Sequence, residues 1–363
     1  MATELGTMTL RDVIRYSGAS GDDNPLHYDP EFARAAGHER LFAMGALGGG
    51  WLLSRVFADA AAGEGAHTAA VRYRAVVPIG SKVAASTVAA ENRLTGELTA
   101  DGVVAVTAEI TSGADAAAVQ AGEGDDDEIT ASFLIEIGAA RSFARAVRWP
   151  HDVADAGAVP PTFVGTITSV LPQPDPIDRV GFDRARTLHG ETLITYPRGP
   201  LRVGEAFQVR EYVTGRRTKE SARGAMEFVD VVAELSDASG LRGVYRNTFI
   251  QMPPVAPVAE AQTPVFDRAT FRLQGSRDPQ TGEVFHPPRT YSVDGRFREC
   301  EDVDLPAEGE LYAFTSFAGQ DYGQIDLAGG VRIQAALAAG EHRIGGKYRL
   351  DSEDGGKWWF VHA

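Results

Sequence analysis

An acid and an imidazole lie close together near the start of the chain, at Asp22 and His27. Between them the sequence reads Asn24-Pro25, which is turn chemistry, and a proline disfavours the helical conformation for the residue before it. We therefore predict an extended loop that turns both side chains toward one point. A carboxylate and an imidazole that share one water molecule can act as a general acid–base pair.

A short helix on each side should hold this loop in place. The spacing of apolar residues over 9–16 predicts one helix before it. After the loop, Asp29 and Pro30 have the residue types of an N-cap and a first helical position, and Gly37 has that of a helix end. The alternative is that the acid and the histidine belong only to a turn and a cap.

The sequence from Tyr16 to Asp29 resembles the signature of the MaoC-like (R)-specific enoyl-CoA hydratases. The similarity is strongest over Gly21-Asp22-Asp23-Asn24-Pro25-Leu26-His27. The resemblance implies a hot-dog fold, which is an antiparallel sheet wrapped around a central helix, with Asp22 and His27 as the catalytic dyad. It implies hydration of a trans-2-enoyl-CoA. We expect Asp22 to be the principal base, His27 to orient the water and shuttle the proton, and Asn24 to fix the loop beside the substrate.

An apolar run from Leu41 to Phe57 predicts a fully buried helix, and its glycines indicate close approach of sheet backbone or ligand. In the hydratases this is the central helix, and a glycine near its start donates its N–H to the thioester oxygen. Gly45 occupies the matching position. Met44 stands where the family often has His, so we expect it to contact substrate. The other glycines have tight packing as their alternative.

Two hot-dog units in succession are predicted. Val77-Pro78-Ile79-Gly80 and Leu201-Arg202-Val203-Gly204 each precede a strand-like stretch and lie a domain-sized distance apart. The second unit has no acid–histidine pair like Asp22 and His27, and it resembles the non-catalytic dehydratase half of two-hot-dog hydratases. We therefore interpret His189 as a structural residue. Val-, Ala-, Thr- and Ile-rich stretches predict strands at 69–76, 82–92, 103–111, 129–137, 192–196, 206–214, 225–235 and 244–251. The acidic run Asp125–Glu128 is interpreted as a solvated hairpin loop rather than a metal site.

A Pro/Ala/Val linker at 253–263 ends the second unit. Beyond it, Leu273 to Arg289, which ends Pro287-Pro288-Arg289, resembles the start of the zinc-ribbon and OB-fold module that accompanies thiolases and acyl-CoA hydratases, so we assign residues 264–363 to such a module. That ribbon holds two cysteine pairs, whereas Cys300 is the only cysteine in this chain. A tetrahedral zinc site needs four ligands, so we predict no zinc and no cofactor beyond the CoA of the substrate.

The predicted fold class is thus α+β: a catalytic hot-dog domain (1–138), a non-catalytic one (139–252), the linker (253–263) and an all-β OB-fold domain (264–363). This combination resembles the hydratases of actinobacterial steroid side-chain degradation. The resemblance implies a bulky acyl-CoA substrate in lipid metabolism, and a thiolase-like, lipid-transfer-type aldolase that docks on the C-terminal domain. A homodimer is also compatible with it.

Composition excludes several other classes. Of the 363 residues 44% are hydrophobic and 23% charged, which is typical of a soluble globular protein. The net charge of −15 argues against nucleic-acid binding, the usual role of many OB-folds. No apolar run is long enough for a membrane span, no signal peptide is evident, and one cysteine fits a reducing compartment, so we expect a cytoplasmic protein. A non-catalytic acyl-CoA-binding scaffold for a thiolase-like partner remains the alternative function.

Overall fold

The computed structural model describes residues 2–363 except 59–64, 91–92, 124–127, 173–175, 222–223, 255–264, 268, 294–297 and 354–356. Asp125–Asp127 of the predicted acidic loop and most of the predicted linker lie outside the described residues. The chain forms two compact units, residues 1–257 and 258–363.

The first unit contains every helix of the described chain and one large sheet. The helices are α1 (Leu10–Ser20), α2 (Pro30–Ala35), α3 (Gly45–Ala58), α4 (Ala114–Ala117), α5 (Ile137–Ala146), α6 (Val153–Ala156) and α7 (Pro176–Arg179), with 3-10 helices at Pro25–His27, Pro161–Ser169 and Arg184–Arg186. The strands are β1 (Thr3–Thr7), β2 (Phe42–Ala43), β3 (His67–Tyr73), β4 (Val77–Pro78), β5 (Lys82–Ala90), β6 (Arg93–Ala100), β7 (Val103–Ser112), β8 (Ile129–Leu134), β9 (Thr187–Tyr196), β10 (Ala206–Ser221), β11 (Gly224–Asp237) and β12 (Gly240–Gln251).

The large sheet has ten strands in the order β1-β5-β6-β7-β3-β9-β12-β11-β10-β8. Antiparallel pairing of β3 with β9 joins its two halves. We call β1, β3 and β5–β7 the first half and β8–β12 the second half. Counted outward from the junction, each strand of one half has a counterpart at the same place in the other.

The predicted internal repeat has a physical basis in the two turns that precede β5 and β10. Gly80 and Gly204 have φ values of +93° and +87°, a region that favours glycine. The Gly80 N–H donates to the carbonyl of Met8, just after β1, and the Gly204 N–H donates to that of Ile135, just after β8. Each turn therefore connects the start of the second strand from the edge to the end of the edge strand.

The central helix α3 is buried almost all round, as its apolar composition predicts. A Cβ added to Gly50 would lie 2.5 Å from Cγ1 of Val147, and one added to Gly48 would lie 3.1 Å from a Val106 methyl. These glycines are thus required by packing. At the corresponding place in the second half the chain forms only the nine-residue 3-10 helix Pro161–Ser169.

The second unit is all β. A small sheet contains β13 (Phe266–Asp267), β14 (Arg272–Arg277), β15 (Val284–Phe285) and β16 (Glu301–Leu305). A closed barrel has the order β17-β18-β19-β21-β20, from β17 (Glu308–Phe317), β18 (Gln320–Leu327), β19 (Arg332–Leu337), β20 (Lys347–Ser352) and β21 (Trp358–His362). The parallel pairing of β19 with β21 and this strand order are consistent with an OB-like domain.

Several local predictions need correction. Residues 25–27 form a 3-10 turn instead of running extended, although Asn24 itself is extended, with ψ near 121°. The central helix begins at Gly45, because residues 42–43 are taken up by β2, which pairs with β4. The strand predicted at 129–137 ends at 134, and α5 begins at 137.

The predicted strands omit β1 and β6 of the large sheet. The position of β8 bears on the domain limits. It pairs with β10 at the outer edge of the second half, so strand pairing assigns Ile129–Leu134 to the second half, although the predicted first domain extended to residue 138. The other predicted domain limits stay predictions.

Candidate active site

A cavity of about 690 Å³ is lined by residues of both halves of the large sheet. From the first half and its helices it takes the loop after α1, the start of α3, and Tyr73 of β3. From the second half it takes inward-facing residues of β9–β12 and part of the 3-10 helix Pro161–Ser169. Of the predicted site residues, Asp22, Asn24, His27 and Gly45 line this cavity.

Asp22 lies at the end of α1. A capping box at Thr9 begins this helix, and Gly21 ends it in the left-handed conformation, with φ of +80° and an N–H that donates to the Ser17 carbonyl. The Asp22 N–H donates to Ser20 Oγ at 3.2 Å, and Asp22 Oδ1 accepts from the Asn24 N–H at 3.4 Å. The carboxylate is therefore held at a helix end, half-buried, beside the cavity.

Asn24 braces the loop from both sides. Its Oδ1 accepts from the Leu26 N–H at 3.2 Å and so caps the 3-10 turn, while its Nδ2 donates to the carbonyl of Arg184 at 3.3 Å. Arg184 belongs to the segment before β9, so this amide links the loop to the second half of the sheet. The predicted loop-fixing position of Asn24 agrees with this geometry, and a contact with substrate stays a prediction.

His27 closes the turn and is only 8% exposed. Its Nδ1 lies 3.0 Å from the carbonyl oxygen of Phe42 in β2. Because a carbonyl can only accept, Nδ1 carries the proton, and in the neutral ring Nε2 is then the acceptor. The imidazole also packs edge-on against the Phe42 ring. This arrangement gives His27 a defined tautomer suited to accepting a proton from water.

Gly45 is the first residue of α3, where N–H groups have no partner within the helix. A Cβ at this position would lie 3.1 Å from the Tyr73 ring, so a side chain is disfavoured there. The N-terminus of a helix favours negative charge. Met44, predicted to contact substrate, is buried at 1% exposure and is not among the described lining residues.

The second half contributes polar groups that sequence reasoning missed. His189 on β9 and Tyr245 and Asn247 on β12 all line the cavity. Asn247 Oδ1 accepts from Thr192 Oγ1 at 2.9 Å and lies 2.9 Å from His189 Nε2. The register of β9 with β12 places Thr192 opposite Asn247, which no local motif could reveal. His189, interpreted as structural, is thus a cavity residue as well.

Burial controls the charge of these groups. It lowers the pKa of His189 to about 4, against the opposing effects of Asn247 and the Asp22 carboxylate. Burial also raises the pKa of Tyr245 to about 12. Near neutral pH His189 is therefore uncharged and Tyr245 keeps its proton. Glu211, a buried carboxylate on the lining, forms an ion pair with Arg179.

The zinc ribbon implied for the C-terminal unit does not fit the residues present. No group of three or more metal-ligating side chains occurs among the described residues. Asp278, 1% exposed, instead pairs with Arg298 Nη1 at 2.8 Å and accepts from Ser292 Oγ at 2.6 Å. Cys300 lies beside this cluster, and burial raises the pKa of its thiol. The absence of zinc stays a prediction, which elemental analysis of the purified protein tests.

Two protein families match consecutive parts of the chain. Residues 3–112 match the MaoC like domain, and residues 129–242 match the FAS1-like dehydratase domain region. The first match covers β1–β7, and the second runs from β8 in the second half of the sheet to the start of β12. Together they support a hydratase or dehydratase activity.

Solved structures are similar to the chain as well. A MaoC-domain dehydratase from Chloroflexus aurantiacus is 11% identical, with a TM-score of 0.51 over 70% of this chain and 95% of that one, which shows a shared fold. A Mycobacterium tuberculosis protein described as a double hotdog fold is 10% identical (TM-score 0.47; 69% and 96% covered). The Ltp2-ChsH2(DUF35) aldolase is 19% identical (TM-score 0.23; 27% and 96% covered). No curated protein matches the chain.

No helix of the described residues is long and apolar enough to cross a membrane.

Proposed function

We propose that this protein hydrates the double bond of a trans-2-enoyl-CoA. The observation that carries the proposal is the arrangement of Asp22, His27 and the first N–H of α3 on one cavity. Hydration of an enoyl thioester needs a base for water, a proton for C2 and a donor for the developing enolate oxygen. The carboxylate, the imidazole and the Gly45 N–H supply these three functions in turn.

In the proposed mechanism a water molecule donates to Asp22 and to Nε2 of His27. As its oxygen attacks C3, one proton passes to the dyad, with Asp22 as principal base and His27 orienting the water and relaying the proton. Electron density moves onto the thioester oxygen, where the Gly45 N–H stabilises it. One proton is then delivered to C2, so the proton count of the dyad is unchanged after each turnover.

Two substitutions test the dyad. Asp22→Asn and His27→Ala should each lower the turnover of crotonyl-CoA hydration at least about 100-fold, the usual scale of general acid–base catalysis. Asp115→Asn is the control, since this exposed carboxylate on α4 is not among the lining residues and its loss should change turnover only slightly. Turnover within a few-fold of wild type for either dyad variant, in protein with an unchanged circular dichroism spectrum, would refute the assignment.

A bulky acyl group, such as a steroid side chain, is the substrate that we propose. Support comes from the short 3-10 helix of the second half, which leaves the inward faces of β10–β12 to line the cavity. The exposed Arg74 lies on the lining, and a guanidinium is suited to the phosphates of CoA. Hydration rates for a steroid enoyl-CoA and for crotonyl-CoA should favour the larger substrate, and the reverse order would contradict this.

The C-terminal unit is proposed to dock a thiolase-like aldolase that receives the hydrated product. Its barrel exposes three aromatic side chains on β17, Tyr312, Phe314 and Phe317, and exposed aromatics are enriched at protein interfaces. A chain that ends at Pro257 should keep hydratase activity and lose co-purification of the aldolase. If the folded, truncated protein loses hydratase activity, the unit contributes to the active site and the docking role loses its support.

A further inference from the structure

We infer that the second half of the cavity selects acyl chains that carry a neutral oxygen function, a hydroxyl or a keto group, through Tyr245 and His189. The inference rests on the proposed hydratase function and adds a substrate class to it. Both residues line the same cavity as Asp22 and His27 but belong to the half without the dyad.

The hydrogen bonds around Asn247 determine the tautomer of His189. Tyr73 OH lies 3.0 Å from Thr192 Oγ1, which in turn donates to Asn247 Oδ1. Since the amide oxygen accepts, the His189 nitrogen 2.9 Å from it, Nε2, carries the proton of the neutral ring. Nδ1 of His189 is then an acceptor, on a ring that lines the cavity.

Tyr245 supplies the complementary donor. Asn247 Oδ1 already accepts from Thr192 Oγ1 and from His189 Nε2, so the amide's Nδ2 is the group left to contact the Tyr245 hydroxyl, and it can only donate. The contact with Asn247 therefore uses the hydroxyl as an acceptor and leaves its O–H to donate. A donor from Tyr245 and an acceptor from His189 together match a hydroxyl group, and the donor alone matches a ketone.

The charges around the cavity disfavour an anionic group on the acyl chain. The Asp22 carboxylate acts on both Tyr245 and His189 across the cavity. His189 is neutral near pH 7, and the Glu211 carboxylate beside them is already matched by Arg179. An added carboxylate would thus face negative charge, because Arg184 on the lining already pairs with Asp178 and Arg74 is the proposed partner of the CoA phosphates. A neutral oxygen meets no such repulsion.

The ring of His189 is fixed in this orientation. It stacks on Phe249 with centroids 5.1 Å apart and an interplanar angle of 25°, and Tyr73 packs near it at 4.6 Å. A purely hydrocarbon chain would exclude water from the donor and acceptor without replacing their hydrogen bonds. Sites of this kind discriminate strongly against substrates that lack the polar group.

The experiment compares trans-2-enoyl-CoAs of one chain length that carry no oxygen, a hydroxyl, a keto group or a carboxylate at successive carbons beyond C4. Wild-type protein should prefer a hydroxyl or keto substrate at one position by at least about tenfold in kcat/KM over the unsubstituted chain. Tyr245→Phe should abolish that preference by lowering kcat/KM at least about tenfold more for the oxygenated substrate than for the unsubstituted chain, because only a hydroxyl is removed.

His189→Gln tests the roles of the two ring nitrogens separately, since the glutamine amide can replace the Nε2 donor to Asn247 but cannot replace the Nδ1 acceptor. It should reduce the preference for the hydroxyl substrate more than that for the ketone. A wild type that hydrates all chains without an oxygen preference would overturn the inference and leave the hydratase function standing. A uniform loss of kcat in Tyr245→Phe would overturn it too, by assigning Tyr245 to positioning the reaction. Hydration of no enoyl-CoA at all would instead refute the proposed function.

Discussion

The two halves of the large sheet share one strand order, but their interiors are filled differently. In the first half the fourteen-residue helix α3 covers the inward face of the strands. In the second half a nine-residue 3-10 helix takes its place, and Tyr245, Asn247 and Phe249 of β12 face a cavity. The two halves thus have the same strand order, but the second half leaves interior space that a ligand can occupy.

The two halves contribute different functions to the site. The dyad and the α3 N-terminus, which would perform the chemistry, belong to the first half, and groups that can recognise the acyl chain belong to the second. Binding residues can vary without disturbing catalytic geometry when they lie on separate, rigid elements. Substitutions in the first half should therefore affect turnover or packing, and substitutions in the second half should affect substrate preference.

Gly45→Pro removes the proposed oxyanion donor from the first half. Proline is tolerated at the first position of a helix, so α3 should persist while kcat falls by about 10²–10³-fold, the usual loss for one oxyanion donor. Gly45→Ala is the matched control, because it meets the same Tyr73 ring at 3.1 Å but keeps the N–H. Equal kcat values for the two variants would show that the N–H is not used.

Gly50→Ala tests the tight packing of α3. Its Cβ would lie 2.5 Å from Val147, which is fully buried. Overpacking of about 1–3 kcal/mol should exceed the roughly 1 kcal/mol gained in helix propensity. Urea denaturation should therefore show a lower free energy of unfolding. Gly18→Ala in α1 has no atom within 4 Å of its Cβ and should stabilise the protein, and the same sign for both variants would contradict the packing argument.

Gly165→Ala makes the corresponding change in the second half. A Cβ there would lie 2.9 Å from the Tyr245 hydroxyl, in the cavity rather than in a packed core. We expect little change in the free energy of unfolding and a smaller preference for oxygenated substrates, because the hydroxyl is displaced. A large loss of stability would indicate that this half is packed as tightly as the first.

His189 tests the second half through pH. Its folded pKa of about 4 lies below the unfolded value of about 6.5. The unfolded chain therefore binds a proton between these pH values that the folded chain does not, so this contribution to stability is complete above pH 6.5 and is lost as pH falls toward 4. In NMR titrations the His189 ring should remain neutral at pH 5. A midpoint near 6.5 would mean that the second-half cavity is well hydrated.

Local chemistry explains what the sequence could predict. The Asp22–His27 loop, the helix cap at Asp29 and the apolar helix α3 could be predicted, because each depends on residues that are neighbours in the sequence. The substrate-facing cluster of Tyr245, Asn247 and His189 depends on the register of β9 with β12, two strands far apart in sequence. Register across such a distance is set by packing of the whole sheet.

Strand β6 shows a second limit. It contains Arg93, Gly96 and Glu97, a composition of low strand propensity. It forms nonetheless, because β5 and β7 provide hydrogen bonds on both sides, and because Gly96 fits where a Cβ would meet Val56 of α3 at 2.8 Å. Tertiary context thus overrides local preference at this strand.

The pairing of β3 with β9 has a consequence for the protein in dilute solution. The paired positions run from His67 opposite Tyr196 to Arg72 opposite Glu191, so the two halves are joined within one polypeptide. When two sites are tethered in this way, their encounter is intramolecular and has a fixed effective concentration. The cavity is lined from one chain, so its two walls stay together at any expression level. Specific activity should accordingly be constant on dilution, as it could not be for walls supplied by separable subunits.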